Sequence, residues 1–323
     1  MPHILVAGKL HPAGLALLEQ ARALGFTSDY VEEISEASYA PLIDRADALV
    51  IRTQPLTAAT VALAPRLRVV SRHGVGYDSV DVAALDERGI ALTIVGDVNS
   101  VSVAEHAMML LLAAAKRLVR ADRAVRDPAR WGWRNRLEQQ EISGKRLLII
   151  GYGRIGRHLA RMAAGFGMEM RAHDPFLERA GWPAGEIPPA PDLPAALAWA
   201  DLVSVHVPRG DRPVLGAAEI AAMKPGAIVV NTARGGVVDE AALAEALRSG
   251  HLGAAGLDVF EAEPPAADTP LLGLDQAVLT PHAAGISLES AERMAVASVQ
   301  NVLDFFAGTL DPALVVNRAA ARP

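Results

Sequence analysis

The chain has 323 residues, which is enough for two domains. Hydrophobic residues make up 51% and charged residues 21%, a composition that excludes a chain disordered throughout. The formal net charge is −6, which disfavours nucleic acid as a partner. Cysteine is absent, which excludes disulfides, thiolate metal sites and a cysteine nucleophile.

The first third of the chain alternates short apolar strands with helical patterns, which predicts an α/β fold with a parallel sheet. We expect a helix from Pro12 to Leu24 and strands at His3–Gly8, Ala48–Ile51, Arg68–Ser71 and Ile90–Ile94.

One long helix is predicted from Val101 to Ala121. Its most apolar run, AMMLLLAAA, has nine residues, whereas a bilayer span needs about 20. We therefore expect a buried helix and no membrane partner. The chain start, MPHILVAGKL, predicts no signal peptide, and the lack of cysteine fits a cytoplasmic location.

A second series of strands follows an irregular polar stretch and predicts one doubly wound domain. Its six predicted strands are Arg146–Ile150, Met168–His173, Leu202–Val207, Ala227–Thr232, Gly253–Leu257 and Val278–Thr280. A helix from Ser287 to Phe306 and an extended segment, Leu314–Asn317, are expected to return to the first domain. The predicted domains are therefore residues 1–99 with 285–323, and residues 100–284.

A glycine-rich segment, Gly151-Tyr152-Gly153-Arg154-Ile155-Gly156, directly follows the first strand of this series, and Asp174 ends the second. Gly151 would permit a tight turn, Gly153 would let a pyrophosphate approach the helix start, and Gly156 would let helix and strand pack closely. Asp174 would accept hydrogen bonds from ribose hydroxyls and repel a 2′-phosphate, which predicts NAD rather than NADP. The alternatives are a glycine turn that serves packing alone and an aspartate that caps a helix.

Three charged or titratable side chains follow later strands of the same predicted sheet, where ligands bind in such folds: Arg234, Glu263 and His282. A planar guanidinium suits a carboxylate or a 2-oxo acid, and an imidazole beside a carboxylate can exchange a proton near neutral pH. Each residue also has an ordinary alternative. Arg234 would form a surface salt bridge, Glu263 would lie in a solvated acidic loop, and His282 would be one of nine histidines with no special role. Spacing alone does not place Glu263 against His282.

These segments together resemble the D-isomer-specific 2-hydroxyacid dehydrogenase family. The motifs GYGRIG with Asp174, NTARGGVVDE, GLDVFEAEP and LTPHAAG occur in the family's order, and SRHGVGYDSVD and NSVSVAEH are also similar to it. The resemblance implies two α/β domains, Rossmann-like or flavodoxin-like, with doubly wound parallel sheets and a cleft between them. The chain departs from the family at Arg209–Pro213, where a stretch rich in leucine and threonine is usual.

The resemblance also implies a role for each matching residue. Arg234 would bind the substrate carboxylate, His282 would be the general acid and base, and Glu263 would hold that histidine. Substrate would also contact Arg52 and the backbone of Val75 and Gly76. NAD would be bound by Gly151, Gly153, Arg154, Ile155, Gly156, Asp174, Val207, Thr232 and Asp258. No metal is expected, because Arg234 and His282 can polarise the substrate.

The implied reaction is hydride transfer between NAD and a small 2-hydroxy or 2-oxo acid. The substrate could be of the hydroxypyruvate, glyoxylate or 3-phosphoglycerate type. Arg52 and Arg72 lie where some family members bind a phosphate group. Family members that use unphosphorylated acids also carry arginine there, so these residues do not decide between the types. The rivals are an NAD-responsive protein without activity and a phosphite-type dehydrogenase. The resemblance implies a homodimer, in which Trp131 and Trp133 would pack at the interface or cover the cleft.

Overall fold

The computed structural model describes residues 1–317. The chain forms two compact units, one of Met1–Asn99 with the segment from Ser287 onward and the other of Ser100–Ile286. Within residues 1–317, no helix combines the length and the apolarity that crossing a bilayer requires.

The first 99 residues build a five-stranded parallel sheet. Its strands are β1 (His3–Ala7), β2 (Thr27–Val31), β3 (Ala48–Ile51), β4 (Val69–Arg72) and β5 (Ala91–Thr93). The helices of this segment are α1 (Pro12–Ala23), α2 (Glu36–Tyr39), α3 (Ala58–Ala62) and α4 (Val82–Arg88), with a 3-10 helix at Ala40–Arg45. The strand order is β2-β1-β3-β4-β5. The sequence did not predict β2, because this edge strand pairs only with β1 and its residues, TSDYV, lack an apolar run.

The second unit builds a six-stranded parallel sheet. Its strands are β6 (Arg146–Ile150), β7 (Glu169–His173), β8 (Leu202–Val205), β9 (Ile228–Asn231), β10 (Ala254–Leu257) and β11 (Ala277–Leu279). Its helices are α5 (Ser100–Ala115), α6 (Leu118–Arg126), α7 (Arg154–Ala164), α8 (Pro175–Ala180), α9 (Leu193–Trp199), α10 (Ala217–Ala221) and α11 (Glu240–Arg248), with 3-10 helices at Pro128–Arg136 and Pro270–Gly273. The predicted α/β fold with doubly wound parallel sheets is confirmed.

The strand order of this sheet is β11-β10-β9-β8-β6-β7. The chain first adds β7 on one side of β6 and then adds β8 on the other side, so the order of strands reverses between β6 and β8. A further parallel bridge joins Ala172 of β7 to Pro189. Ligands of open α/β sheets bind beyond the carboxyl ends of the strands at such a reversal. The fold therefore points to the residues that follow β6 and β8 as one part of a site.

Apolar side chains cover both faces of the six-stranded sheet. Leu148 and Ile150 of β6 belong to one buried cluster, and Leu147 and Ile149 of the same strand belong to the other. A strand buried on both faces is apolar at successive positions rather than at alternate ones. This explains why the run LLII was a reliable signal for β6.

The chain returns to the first unit through α12 (Leu288–Ala307) and a 3-10 helix at Pro312–Leu314. The extended segment predicted at Leu314–Asn317 is limited to Val315, which forms a single antiparallel bridge with Thr93.

The single helix predicted from Val101 to Ala121 is wrong, because α5 and α6 are separate helices. Arg117, between them, adopts a left-handed backbone conformation with φ of 52°. Its guanidinium donates a hydrogen bond to the carbonyl oxygen of Gly253, a residue remote in sequence. The break therefore coincides with a tertiary contact, which helical periodicity does not predict.

Candidate active site

The residues Arg234, Glu263 and His282 all lie beyond the carboxyl ends of neighbouring strands. They follow β9, β10 and β11 respectively, which are adjacent in the sheet. Parallel strands bring the segments that follow them to one edge of the sheet, so the topology gathers three positions that are far apart in sequence.

His282 and Glu263 are in direct contact. His282 Nδ1 lies 2.7 Å from Glu263 Oε2, and the other carboxylate oxygen accepts a hydrogen bond of 3.1 Å from the backbone amide of Phe260. The His282 side chain is 52% exposed, so the ring can reach a ligand. Since Nδ1 faces the carboxylate, Nε2 is the nitrogen that remains to exchange a proton.

Arg234 lies on a turn that packs against the segment holding Glu263. Asn231 Nδ2 donates 2.8 Å to the carbonyl oxygen of Arg234, and the Arg234 guanidinium donates 2.7 Å to that of Ala233. A Cβ atom on Gly235 would lie only 1.8 Å from the carbonyl oxygen of Phe260. This position therefore accepts only glycine, and the close approach couples the arginine turn to the Phe260–Glu263 segment.

Asp258, the residue directly after β10, is wholly buried with its carboxylate fully engaged. One oxygen accepts hydrogen bonds from Thr280 Oγ1 at 2.6 Å and from the amide of Ala283 at 2.8 Å. The other accepts from the amide of Ala284 at 2.8 Å. His106 Nε2 lies 3.5 Å from the same carboxylate. Neither His106 nor Thr280 was among the predicted site residues, because no local pattern links them to Asp258.

The glycine-rich turn after β6 has a different steric demand at each glycine. Gly151 has φ of 90°, and a Cβ there would lie 2.5 Å from the carbonyl oxygen of His206. A Cβ on Gly156 would lie 2.4 Å from the carbonyl oxygen of Gly151. A Cβ on Gly153, by contrast, would meet nothing within 4 Å, and this residue is the N-cap of α7. The turn thus leaves open space in front of a helix N-terminus, which suits a phosphate group.

Asp174 follows β7, and its carboxylate accepts hydrogen bonds from both the glycine-rich turn and the next helix. Its Oδ2 accepts a hydrogen bond of 2.9 Å from the amide of Tyr152, and its Oδ1 accepts from the amides of Phe176 and Leu177 at the start of α8. Asp174 therefore caps helix α8, as the alternative interpretation of this residue predicts. It is compatible with a ligand role, since a carboxylate oxygen accepts more than one hydrogen bond.

The remaining predicted cofactor residues line the same edge of the sheet. Arg154 and Ile155 are the first two residues of α7, and Val207 follows β8. Thr232 follows β9 and is 6% exposed, and its hydroxyl has no hydrogen-bond partner within residues 1–317. An unpaired buried hydroxyl together with the open space at Gly153 fits a polar ligand such as NAD.

Two histidines outside the predicted set are held neutral by burial. Burial lowers the pKa of His206, at the end of β8, to about 4, and its Nε2 lies 2.8 Å from the hydroxyl of Ser204. Burial, with the nearby charge of Arg52, also lowers the pKa of His73 to about 4. Among residues 1–317, no group of three or more histidine, aspartate or glutamate side chains is arranged to hold a metal ion.

The predicted substrate residues Arg52, Val75 and Gly76 belong to the first unit. Arg52 follows β3, and Val75 and Gly76 follow β4, the neighbouring strand. The amide of His73 donates 2.8 Å to the carbonyl oxygen of Ile51, so β3 and β4 stay paired up to the residues just before Arg52 and Val75. These residues therefore lie together at the carboxyl edge of the first sheet.

Comparisons with known proteins identify relatives along nearly the whole chain. Residues 108–284 match the family model described as "D-isomer specific 2-hydroxyacid dehydrogenase, NAD binding domain". A glyoxylate reductase of Korarchaeum cryptofilum is 38% identical, with 97% of this chain and 96% of that protein covered. The D-3-phosphoglycerate dehydrogenase of Mycobacterium tuberculosis is also 38% identical, but the match spans only 58% of its length. The crystal structure of the TT0316 protein of Thermus thermophilus is similar with a TM-score of 0.86 and 34% identity, covering 96% of this chain and 98% of that one.

Proposed function

Because the chain belongs to the D-isomer specific 2-hydroxyacid dehydrogenase family, we propose that it is an NAD-dependent oxidoreductase acting on a small 2-hydroxy or 2-oxo acid. The observation that carries this proposal is the 2.7 Å contact between His282 and Glu263, which lies beside the turn that bears Arg234. An imidazole held by a carboxylate, together with a guanidinium on the adjacent turn, can bind and protonate a 2-oxo acid during its reduction.

NAD is the proposed cofactor, and the turn at Gly151, Gly153 and Gly156 would hold its pyrophosphate. Asp174 would hold the adenosine ribose, and Arg154, Ile155, Val207 and Thr232 would supply the remaining contacts. Asp258, predicted as a further contact, is wholly buried and bonded to Thr280, Ala283 and Ala284, so we do not place it against NAD. When bound, NAD supplies or accepts the hydride. The match to an NAD-binding domain and the open space before α7 support this assignment.

In the proposed mechanism the protein orients the acid and moves one proton. Arg234 binds the substrate carboxylate through its planar fork and polarises the 2-oxo group. His282 Nε2 gives a proton to the substrate oxygen in reduction and removes it in oxidation. Glu263 fixes the ring through Nδ1 and stabilises the imidazolium. General acid catalysis of this kind contributes about 100- to 10,000-fold in rate.

We propose glyoxylate, hydroxypyruvate or a similar unphosphorylated 2-oxo acid as the substrate. Support comes from the glyoxylate reductase that matches this chain over 96% of its own length. The phosphoglycerate dehydrogenase named above is matched over only 58%, so 3-phosphohydroxypyruvate is the second candidate. We further propose that Arg52 and the backbone of Val75 and Gly76 contact the substrate.

The test is an NADH-oxidation assay with glyoxylate, hydroxypyruvate and 3-phosphohydroxypyruvate, together with NAD reduction by phosphite. We expect NADH oxidation with at least one unphosphorylated 2-oxo acid. Turnover of the phosphorylated acid alone would reassign the substrate class. NADH binding without turnover of any compound would favour the non-enzymatic alternative.

We further propose a homodimer that works in the cytoplasm. The apolar side chains Met109, Leu118 and Phe166 are 38%, 54% and 37% exposed and lie on or beside α5, α6 and α7. Exposed apolar patches of this kind favour association. Sedimentation should give the mass of two chains, and Met109→Asp should give the mass of one. The absence of cysteine fits a reducing compartment, and cell fractionation checks the location.

A further inference from the structure

Asp258 accepts four hydrogen bonds from the segment that carries His282. Three are made by its carboxylate, which accepts from the Thr280 hydroxyl and from the amides of Ala283 and Ala284. The fourth is made by its carbonyl oxygen, which accepts 2.8 Å from the amide of His282 itself. The backbone on both sides of the imidazole is thus fixed to one buried aspartate.

This fixation is needed because His282 has an unfavourable backbone conformation. Its φ is 51°, in the left-handed region that residues other than glycine rarely adopt. Such a conformation persists only where surrounding contacts determine it. The direction of the His282 side chain therefore depends on the hydrogen bonds of Asp258.

The direction of each hydrogen bond in the group follows from its chemistry. The Thr280 hydroxyl has one proton and two acceptors in reach, Asp258 Oδ1 at 2.6 Å and the carbonyl oxygen of Leu257 at 3.4 Å, so it donates to the closer one, Asp258. The Thr280 oxygen then accepts the hydrogen bond from His106 Nε2 at a distance of 2.9 Å. The imidazole of His106, on α5, thus carries its proton on Nε2 and orients the threonine hydroxyl toward the aspartate.

From this arrangement we propose that His106 is a positioning residue for His282, acting through Thr280 and Asp258. Helix α5 packs against β10 and β11, the strands that precede Asp258 and Thr280, so the helix and the two strand ends form one unit of structure. His106 acts without touching substrate. The proposal deepens the function proposed above and rests on it.

The test compares His106→Phe, which keeps a ring but removes the donor, with His106→Gln, which keeps an N–H donor at similar reach. We expect His106→Phe to lower kcat for the best 2-oxo acid by about tenfold or more, since a hydrogen bond to a charged network is lost. The KM for that acid and the Kd for NADH, measured by fluorescence, should stay near the wild-type values. His106→Gln should recover most of the lost kcat.

A second variant pair keeps the proposal testable if His106→Phe does not fold. Thr280→Val removes the connecting hydroxyl and should lower kcat, whereas Thr280→Ser should restore it. If both His106→Phe and Thr280→Val fold, the double variant should be no slower than the slower single variant, because both interrupt one chain of hydrogen bonds.

Three results would overturn the proposal. The first is an unchanged kcat in His106→Phe. The second is a loss of kcat in the double variant equal to the product of the two single losses, and the third is a His106→Gln variant as slow as His106→Phe. Failure of the wild-type protein to oxidise NADH with every 2-oxo acid tested would instead contradict the proposed function. The two failures are therefore distinguishable.

Discussion

Glu263 holds His282 by a contact of 2.7 Å between Oε2 and Nδ1, across a separation of 19 residues in the chain. The second oxygen of the same carboxylate is fixed by the amide of Phe260. A carboxylate anchored in this way limits rotation of the imidazole and leaves Nε2 for the proton that the proposed reaction exchanges.

Replacing the imidazole should remove proton transfer but not cofactor binding. His282→Asn keeps a side-chain group near Glu263 and cannot act as a general acid. We expect kcat to fall about 100- to 10,000-fold, while the Kd for NADH changes little. Steady-state kinetics and NADH fluorescence measure the two quantities. His11→Asn is the matched control, since His11 caps α1 through its side chain and asparagine also caps helices. Near-normal turnover in His282→Asn would refute the assigned role.

Replacing Glu263 should have a smaller effect on rate than removing the histidine. Glu263→Gln keeps the shape of the side chain but loses its negative charge, so the charge-assisted hydrogen bond to Nδ1 weakens. We expect kcat to fall about 10- to 100-fold. Glu245→Gln, which alters an exposed ion pair with Arg248, should leave kcat unchanged. Equal rates for Glu263→Gln and wild type would show that the contact has no catalytic consequence.

Arginine and lysine should differ at position 234. Arg234→Lys keeps the positive charge but removes the planar fork that binds a carboxylate through two hydrogen bonds. We expect the KM for the 2-oxo acid to rise about tenfold or more, with little change in the Kd for NADH. Arg248→Lys, in the exposed ion pair, is the control. A KM unaffected in Arg234→Lys would mean that Arg234 does not bind the carboxylate.

Two of the three glycines in the turn after β6 should separate cofactor binding from stability. Gly153→Ala places a methyl group in open space and should leave the melting temperature unchanged. Because that space would hold the pyrophosphate, we expect the Kd for NADH to rise about tenfold or more. Gly156→Ala collides with the Gly151 carbonyl oxygen and should destabilise the fold by about 1–3 kcal/mol or more.

Gly273→Ala is the matched control for this series, because a Cβ on Gly273 also meets nothing within 4 Å. It should change neither the Kd nor the melting temperature. Tight NADH binding by Gly153→Ala would place the cofactor elsewhere.

His73 should make the protein less stable in acid. Burial lowers its folded-state pKa to about 4, whereas an unfolded histidine has a pKa of about 6.5. Between these values the unfolded chain binds more protons, so the free energy of unfolding falls as the pH falls from about 6.5 to about 4. This difference between the folded and unfolded pKa values corresponds to about 3 kcal/mol in the free energy of unfolding.

The measurement is urea unfolding of wild type and His73→Gln from about pH 4 to about pH 9. Since glutamine does not titrate, wild type should lose about 3 kcal/mol relative to the variant toward the acidic end. Their difference should be constant above about pH 7. Parallel curves over the whole range would show that His73 titrates normally in the folded protein.

Local sequence was sufficient to predict the elements that are buried on both faces. The runs HILVA, ALVI and RLLII appear as β1, β3 and β6 because a strand between two layers of helices needs apolar residues at successive positions. The glycine turn was also predictable, since its steric requirements lie within a few residues of each other. An edge strand such as β2 carries no such signal, because much of it stays exposed.

What the sequence by itself determined was the fold class and the glycine-rich turn, and it supplied three candidate residues at strand ends. Only the tertiary structure decided that Glu263 contacts His282, that α5 ends before Arg117, and that His106 reaches Thr280. These relationships join residues that are far apart in the chain, and they depend on strand order and helix packing rather than on any local pattern. The physical reason is that short-range periodicity records which residues are buried, whereas hydrogen bonds between distant residues form only after the sheet has assembled.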